Sequence, residues 1–534
     1  MIAEGRAEDA LELVFALLLK LRDTNTALTV RLHNALRALY GRRSEKVSDE
    51  QLALLFDALN GDAPQSALDA AADAAKSADD DPNKPVEQPD RPPVKPRGRG
   101  GRKPLPDHLP REFVDVPVPP ELRVCPICGA EKKCIGHIES EILEFVPAHF
   151  KVEVERREKL ACEICENGVV TAPSEKVMDK GRPGPQLLAH IIVSKFQDSQ
   201  PIYRQCQIFE RAGVSLSTST VGDWSAFGID VVKPIASRIL QRIIGGLYIQ
   251  GDDTGLRVLD PKHPNGVKRG HIWAFVGGKL VAFFYTPDWK AEHPAQKLKN
   301  FYGYYQGDGY AGTPEMLQPP EGDAPVVAEA RRLGCGMHIR RKFEQAADGG
   351  DARGAIAMAY FKKIYAVEAS CKKDKLSSEA RKERRDELSL PVVDELYDWI
   401  PKLHPTLVPG TSLHAATRYA LNQQAAWRLC FSDGRFEIDN GEVERQIRRV
   451  ALGRKNYLFA GSDKGAERYA VAYTILGSCH MNLVDPQAYL ADVIKKIQAG
   501  WPESRIDELL PDAWQGPRRS LVPGRDDAVA ESLG

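Results

Sequence analysis

The sequence contains no long hydrophobic run and no strong excess of either charge. Its longest unbroken apolar stretch is Leu13–Leu19, far short of the roughly 20 residues that a membrane-spanning helix needs. Glu4, Glu8, Asp9 and Glu12 are incompatible with the basic start of a secretory signal peptide. The 73 basic and 74 acidic residues give a net charge of -1, which excludes a uniformly basic nucleic-acid coat but not local basic patches. We therefore expect a cytoplasmic protein without membrane contact.

Cysteine is scarce as well, since ten cysteines in 534 residues are too few for a disulfide scaffold. The chain is 43% hydrophobic and 28% charged, as is typical of a mostly globular protein. At roughly 150 residues per domain, this length predicts three or four domains.

Residues 8–42 have the pattern of a coiled-coil helix. Leucines and other apolar residues recur at steps of three and four, which makes a heptad seam with Asn25 at an a position. A single buried Asn at such a position specifies register and pairing. The pattern predicts self-association through this arm; the alternative is an amphipathic helix packed on its own chain.

Two segments of opposite charge follow the arm. Residues 48–90 hold eleven acidic and two basic residues, a composition that predicts disorder. Residues 91–111 hold seven basic residues, one acidic residue and six prolines. Arginines on such a segment can enter a narrow minor groove of DNA, although a solvated linker is the alternative. The candidate DNA-binding residues here are Arg97, Arg99, Arg102 and Lys103.

Four of the cysteines form two C-x-x-C pairs separated by 33 residues. Each pair supplies two thiolates from a tight turn, and two pairs complete a tetrahedral Zn²⁺ site with no open position, so its role is structural. Alternation over residues 142–154 predicts strands between the pairs. The segment is therefore interpreted as a zinc ribbon whose ligands are Cys125, Cys128, Cys162 and Cys165.

Residues 185–230 are predicted to form three helical pieces, at 185–197, at 201–212 and from Ser217 through Trp224. A short glycine-containing turn between two helices is typical of a helix-turn-helix. An ordinary helical hairpin is the alternative.

The pattern becomes strand-like after Gly246. An apolar strand is predicted over 247–254, ending in Asp252 and Asp253, and another before Asp308, while Gly277-Gly278 predicts a hairpin. A long helical stretch is predicted over 339–428, and Glu444 lies where a later helix begins. Acids at two strand ends and on a helix can converge on a pair of Mg²⁺ ions.

A basic cluster follows Glu444. Residues 445–468 hold seven basic and two acidic residues, and such a patch beside acids would neutralise DNA phosphates. A solvated helix face is the alternative. The candidate DNA-binding residues in this cluster are Arg445, Arg448, Arg449, Arg454 and Lys455.

Several longer runs together resemble transposases of the insertion sequence 66 family, which belong to the DDE class with an RNase H-like catalytic core. The runs are specific in combination rather than singly. They are Leu39-Tyr-Gly-Arg-Arg-Ser-Glu-Lys46, the zinc ribbon, Gly307-Asp308-Gly-Tyr-Ala-Gly312, Cys335-Gly-Met-His338-Ile-Arg-Arg-Lys-Phe343, Asp439-Asn-Gly-Glu-Val-Glu444-Arg445, Leu452–Asp463 and Asp485-Pro-Gln-Ala-Tyr-Leu490.

The resemblance implies that Asp252, Asp308 and Glu444 are the catalytic carboxylates and that they hold two Mg²⁺ ions. Asp253 competes with Asp252 for the first role, but neighbouring strand residues point to opposite faces, and Asp252 is favoured. Cys335 and His338 match the family's C-x-x-H, as possible metal ligands or as a packed thiol and a hydrogen-bonded imidazole. The sequence departs from the family pattern at Gly251, Thr313 and Gly441.

The resemblance also implies the reaction and the partners. The reaction would be Mg²⁺-dependent cleavage of the element's ends and transfer of the freed 3′-hydroxyl to target DNA, in a bacterial protein associated with the nucleoid. Partners would be double-stranded DNA, other copies of the chain and small accessory proteins of the same element. The rival interpretations are another RNase H-like nuclease, such as a resolvase, and a non-enzymatic DNA-binding regulator.

The expected fold class is multidomain α/β. The predicted order is a coiled-coil arm (1–60), an acidic then basic linker (61–120), the zinc ribbon (121–172), a helix-turn-helix-like domain (180–240), an RNase H-like core (241–480) with a helical insertion at about 345–430, and a helical tail (481–534).

Overall fold

A computed structural model describes residues 149–160, 170–174, 176–178, 181–309 and 331–516, together with residues 127 and 312. The chain divides into two units, one of residues 79–154 and one comprising 1–78 and 155–534. The coiled-coil arm, the charged linker with its four candidate basic residues and the four zinc-ribbon cysteines all lie outside the described residues. What the sequence predicts for them stays a prediction.

A short hairpin brackets the second C-x-x-C pair. Strand β1 (Lys159–Leu160) pairs antiparallel with β2 (Val170–Thr171), with Lys159 opposite Thr171. The prediction of strand structure over 142–154 is wrong where it can be checked, because residues 149–154 belong to no strand. Alternation by itself does not supply the hydrogen-bonded neighbour that a strand requires.

The three predicted helices are confirmed as α1 (Pro185–Phe196), α2 (Ile202–Arg211) and α3 (Thr218–Ile244). Ser217 caps α3 as expected, since its side chain accepts the backbone N–H of Thr220 at 3.1 Å. Helix α3 runs 20 residues beyond Trp224, because apolar side chains continue to recur every three or four positions and are buried as far as Ile243.

A five-stranded mixed sheet follows. Its order is β5 (Leu280–Thr286), β4 (Val267–Gly277), β3 (Tyr248–Leu259), β6 (Tyr304–Gln306) and β7 (Arg332–Leu333). The first three strands are antiparallel, whereas β3, β6 and β7 run parallel. The glycine hairpin is confirmed, with Gly278 at a φ of 59° that favours glycine.

Strand β3 is longer than predicted. It was expected to end in its two acids, but it continues to Leu259, which pairs with Val267 of β4. The backbone ladder is independent of side-chain charge, so the acids lie within the strand rather than at its end. The parallel pairing with β6 stops at Gln250, and Asp252 follows two residues later.

Helices cover the sheet. After the short helix α4 (Glu292–Lys297), the predicted helical stretch consists of α5 (Gly336–Asp348), α6 (Ala352–Lys373), α7 (Ser378–Arg384), α8 (Leu390–Leu403) and α9 (Ser412–Leu429). Except for α7, which buries no side chain, these longer helices form a second hydrophobic core around Phe343, Phe361 and Trp427. The insertion is therefore a compact layer of its own.

The last three helices are α10 (Gly441–Tyr457), α11 (Asp463–Met481) and α12 (Pro486–Gln498). Helix α11 covers the edge of β5, because the N–H groups of Val281 and Phe283 donate to Ser478 and Thr474 at 3.1 and 2.8 Å. An edge strand covered in this way cannot pair with another chain. Among the described helices, none combines the length and the apolar character needed to span a membrane.

Candidate active site

The parallel pairing of β3 with β6 places two of the candidate carboxylates just beyond the point where that pairing stops. Gln250 and Gln306 are register partners, and Asp252 and Asp308 each follow two residues later. Because the two strands run parallel and are paired at these positions, the residues that follow lie close together. Beyond β6, the hydroxyl of Tyr419 donates to the backbone oxygen of Asp308 at 2.5 Å, which fastens that turn to α9.

The third carboxylate arrives on helix α10, as the sequence predicts. Glu444 lies in the first turn of this helix, and the preceding residue, Val443, donates its backbone N–H to Gln250 Oε1 at 3.2 Å. Glu444 is thereby tied to the strand that carries Asp252. The side chain of Glu444 is 25% exposed, so it is accessible from solvent.

The electrostatics of Asp252 reflect this convergence. Burial, followed by the nearby charges of Asp308, Glu444 and Asp253, raises its pKa to about 8, although a bond from the backbone N–H of Asp253 opposes the shift. Burial and like charges both disfavour the ionised form of a carboxylate. Perturbed carboxylates in such a cluster are typical of functional sites.

Asp253 points away from this cluster. Its Oδ2 lies 2.5 Å from His271 Nδ1, and its Oδ1 accepts the indole N–H of Trp289 at 2.8 Å. The His271 and Trp289 rings are stacked, with centroids 5.7 Å apart. Asp253 therefore has a structural environment of its own on the opposite side of β3.

The C-x-x-H residues open helix α5 and contact the region of α10. The buried Cys335 thiol donates to the Asn440 side-chain oxygen at 2.9 Å, and it is thus engaged in packing. His338 Nε2 lies 3.5 Å from Glu444 Oε1. Burial lowers the pKa of His338, although the Glu444 and Asp308 carboxylates act in the opposite direction. Arg341 also lies 3.5 Å from Glu444.

The five candidate basic residues of α10 differ in their surroundings. Arg445, Arg448 and Lys455 are exposed, whereas Arg449 and Arg454 are partly buried. Arg454 donates to the Thr254 hydroxyl at 2.8 Å and to the backbone oxygen of Gly255. Its guanidinium is therefore turned to strand β3 and helps to hold α10 against the sheet.

Within the described ranges, no group of three or more His, Cys, Asp or Glu side chains has the arrangement of a metal site. Asp308 and Glu444 act electrostatically on Asp252, but among the described residues the three carboxylates do not form a metal-binding arrangement. Carboxylate oxygens are nevertheless the ligand type that Mg²⁺ prefers.

Two residues of this region are not predicted as site residues from the sequence. Gln250 and Gln306 are buried beside the carboxylates, yet an amide has no charge to draw attention to it. The available signal was their spacing, since each lies two residues before a candidate aspartate.

Four family models match successive parts of the chain. The model described as "Transposase IS66 family" matches residues 180–468, more than half of the chain. Those described as "Transposase C of IS166 homeodomain", "zinc-finger binding domain of transposase IS66" and "IS66 C-terminal element" match 27–114, 123–166 and 474–511.

Similar proteins occur in Sinorhizobium fredii. The chain is 31% identical to the uncharacterized protein y4hP over 516 residues, 92% of this chain and 89% of that protein. It is 33% identical to the uncharacterized protein y4qI over 500 residues, 89% of this chain and 86% of that protein. No solved structure matches the chain. Because the family model spans more than half of the chain, this chain belongs to the IS66 transposase family.

Proposed function

We propose that this protein is a DNA transposase that cleaves the ends of its element and transfers the freed 3′-hydroxyl to target DNA. Asp252, Asp308 and Glu444 would be its catalytic carboxylates, within an RNase H-like core. The observation that supports the proposal is that strands β3 and β6 and helix α10 bring these three side chains into one region of the fold. The mixed sheet with helices packed against it is compatible with such a core.

The three carboxylates would supply the oxygen ligands that a divalent cation prefers. The charged form of Asp252 is disfavoured by burial and by the acidic neighbours Asp308, Glu444 and Asp253, and a cation would relieve that repulsion. Ions bound here, which we propose to be two Mg²⁺, would stabilise the attacking and leaving oxygens of a phosphodiester. The side chains would have to rotate towards a common point to serve as ligands.

Other residues of the chain would hold the DNA and orient the site. Exposed Arg445, Arg448 and Lys455 would pair with phosphates, which positions a duplex without reading its sequence. His338, close to Glu444, would orient that carboxylate. We propose that α2, α3, the Zn²⁺-binding ribbon and the basic linker recognise the element's ends.

Pairing of two element ends would require more than one copy of the chain. We propose that the N-terminal arm supplies self-association, because its heptad pattern is typical of coiled coils. Small accessory proteins from the same element would join the assembly.

The test is a strand-cleavage and joining assay with the full-length protein, the ends of its own element and Mg²⁺. We expect cleavage followed by joining, both lost in Asp308→Asn, while binding to the same DNA is retained in a mobility-shift assay. Cleavage without joining would favour a resolvase-like nuclease. DNA binding without cleavage, even with the accessory proteins added, would favour the regulator.

A further inference from the structure

Two buried glutamine side chains lie between the aspartate strands and the start of α10. Gln250 and Gln306 are 2% and 0% exposed, and they are register partners in the parallel pair β3–β6. Register partners on parallel strands present their side chains on the same face of the sheet. Accordingly, Gln250 Nε2 donates to Gln306 Oε1 at 3.1 Å, so the two amides form one buried pair.

Gln306 connects this pair to two segments that flank the site. Its Nε2 donates to the backbone oxygens of Gly334 and Glu437, each at 2.9 Å. The hydroxyl of Tyr248 donates to its Oε1. Gly334 follows strand β7, and Glu437 lies in the connection that leads into α10. The strand that precedes Asp308 is thereby fixed to the approach to Glu444.

Gln250 caps helix α10 from the sheet. The first N–H groups of a helix have no partner within it, and the residue at its start often accepts one with its side chain. Here the N-cap residue Asn440 makes no such bond. Gln250 Oε1 accepts the Val443 N–H at 3.2 Å instead, while its Nε2 donates to the Asp439 backbone oxygen at 3.0 Å.

We propose that Gln250 and Gln306 are positioning residues that set Glu444 relative to Asp252 and Asp308. Gln250 and Asp252 point to the same face of β3, because residues two apart on a strand do so. A single side chain therefore links the backbone next to Glu444 to the strand that carries Asp252. This inference rests on the proposed function and extends it, because it names the residues that set the separation of the carboxylates.

The test measures divalent-cation binding by the full-length, zinc-loaded protein with isothermal titration calorimetry. Gln250→Met and Gln306→Met keep the side-chain volume but remove the hydrogen bonds of the amide group. Gln250→Asn keeps an amide group on a side chain that is too short to reach the backbone of residues 439 and 443. Gln205→Met is the matched control, since Gln205 is 1% exposed and donates to two backbone oxygens in the α1–α2 region. Circular dichroism and urea unfolding establish that each variant is folded.

Mg²⁺ and Ca²⁺ should respond differently. Mg²⁺ demands a near-ideal octahedron, whereas Ca²⁺ accepts irregular oxygen ligands. Loss of a group that orients ligands typically weakens metal affinity about 10- to 100-fold. We therefore expect both Gln250 variants and Gln306→Met to weaken Mg²⁺ affinity about 10- to 100-fold and Ca²⁺ affinity by less. Gln205→Met should leave both affinities unchanged. A merely destabilised fold would not alter the ratio of the two affinities.

The outcomes separate this inference from the function on which it rests. If the wild type binds Mg²⁺, Asp308→Asn does not, and the folded glutamine variants bind like the wild type, the positioning role is overturned and the proposed metal site stands. If Gln250→Met fails to fold, Gln250→Asn and Gln306→Met decide the question. If the wild type and Asp308→Asn bind alike, the metal site is wrong and the inference falls with it.

Discussion

Asp252 and Asp253 are adjacent in the chain but have different surroundings. Asp252 faces Asp308 and Glu444, whereas Asp253 is held by His271 and Trp289. Strand geometry alone predicts that only one of them faces the site. Strand geometry does not tell which one, because that choice depends on which residues occupy the opposite face; the family resemblance is what favours Asp252.

Substitutions of the two aspartates should affect cleavage and stability differently. We expect Asp252→Asn to abolish cleavage with little effect on folding. Asp253→Asn should retain cleavage but lower the free energy of unfolding by about 1–2 kcal/mol, because it disrupts a partly buried hydrogen-bonded group. Cleavage assays and urea unfolding of both variants measure this. Retained cleavage in Asp252→Asn with loss in Asp253→Asn would exchange their roles.

Gly251 departs from the family pattern, and its neighbour Tyr305 provides a physical reason. A Cβ atom at Gly251 would lie 2.2 Å from the Tyr305 hydroxyl oxygen and 2.4 Å from its Cε2, and Tyr305 is only 3% exposed. The tyrosine ring thus occupies the space that a larger residue would use. The departure therefore reflects local packing and leaves the three candidate carboxylates in place.

This packing predicts that the stability effects of substitutions at Gly251 and Tyr305 depend on each other. Gly251→Ala should lower the free energy of unfolding by about 1–3 kcal/mol through overpacking. The loss should be smaller in a Tyr305→Leu background, which a double-mutant cycle measures. Gly461→Ala is the control, because nothing lies within 4 Å of its Cβ position. Additive effects of the two substitutions would contradict the steric explanation.

At the scale of elements, patterns that depend on local chemistry were predicted well. The cap at Ser217, the hairpin at Gly278 and the start of α10 were all correct. The insertion was predicted as one stretch, whereas turns at Gly350 and Lys375, both at positive φ, divide it. Pairing partners such as the neighbours of β3 are non-local, so the sequence left them open.

A buried ion cluster joins the insertion to the site. Glu368 Oε1 accepts from Arg385 Nε at 2.7 Å, and Arg381 contacts both Glu368 and Glu437 at 2.5 and 2.7 Å. Arg385 is fully buried. The backbone oxygen of Glu437 also accepts the side-chain N–H of Gln306. The cluster therefore supports the connection that leads to Glu444. Charged residues in a long helical pattern gave no sign of this burial.

This cluster predicts a pH dependence of stability. Burial alone would raise the pKa of Glu368, but Arg385 and Arg381 outweigh it and lower the pKa below 4.5. A lowered folded-state pKa means that the contribution is complete above the unfolded-state pKa and is lost as pH falls through the folded value. The stability difference between wild type and Glu368→Gln should therefore be constant near neutrality and shrink below about pH 4.5.

Near neutral pH, Glu368→Gln should cost on the order of 3 kcal/mol, because it leaves buried arginine charge uncompensated. Urea unfolding across the pH range measures the difference. Glu387→Gln is a matched control, since Glu387 is exposed on the adjacent turn. A stability difference that does not change with pH would show that the charge of Glu368 is not what stabilises the insertion.

At the scale of the whole molecule, the net charge is close to zero although helix α10 has a basic surface. The net charge is -1, yet Arg445, Arg448 and Lys455 are exposed at steps of three and seven along α10. These three residues, here called the basic face, lie on the helix that carries Glu444. The sequence predicted five basic residues here without distinguishing those whose guanidinium groups turn inward, as Arg454 does.

The basic face should determine the salt dependence of DNA binding. Each phosphate contact contributes about 0.9 to the slope of log affinity against log salt concentration. Replacing all three residues of the basic face by alanine should therefore lower that slope by about 3, equally for element ends and unrelated DNA. Exposed Lys373, Lys375 and Lys402 provide a control with the same charge change on the insertion. Fluorescence anisotropy between roughly 50 and 200 mM salt measures the slopes, and equal slopes for the two triple variants would locate the phosphate contacts elsewhere.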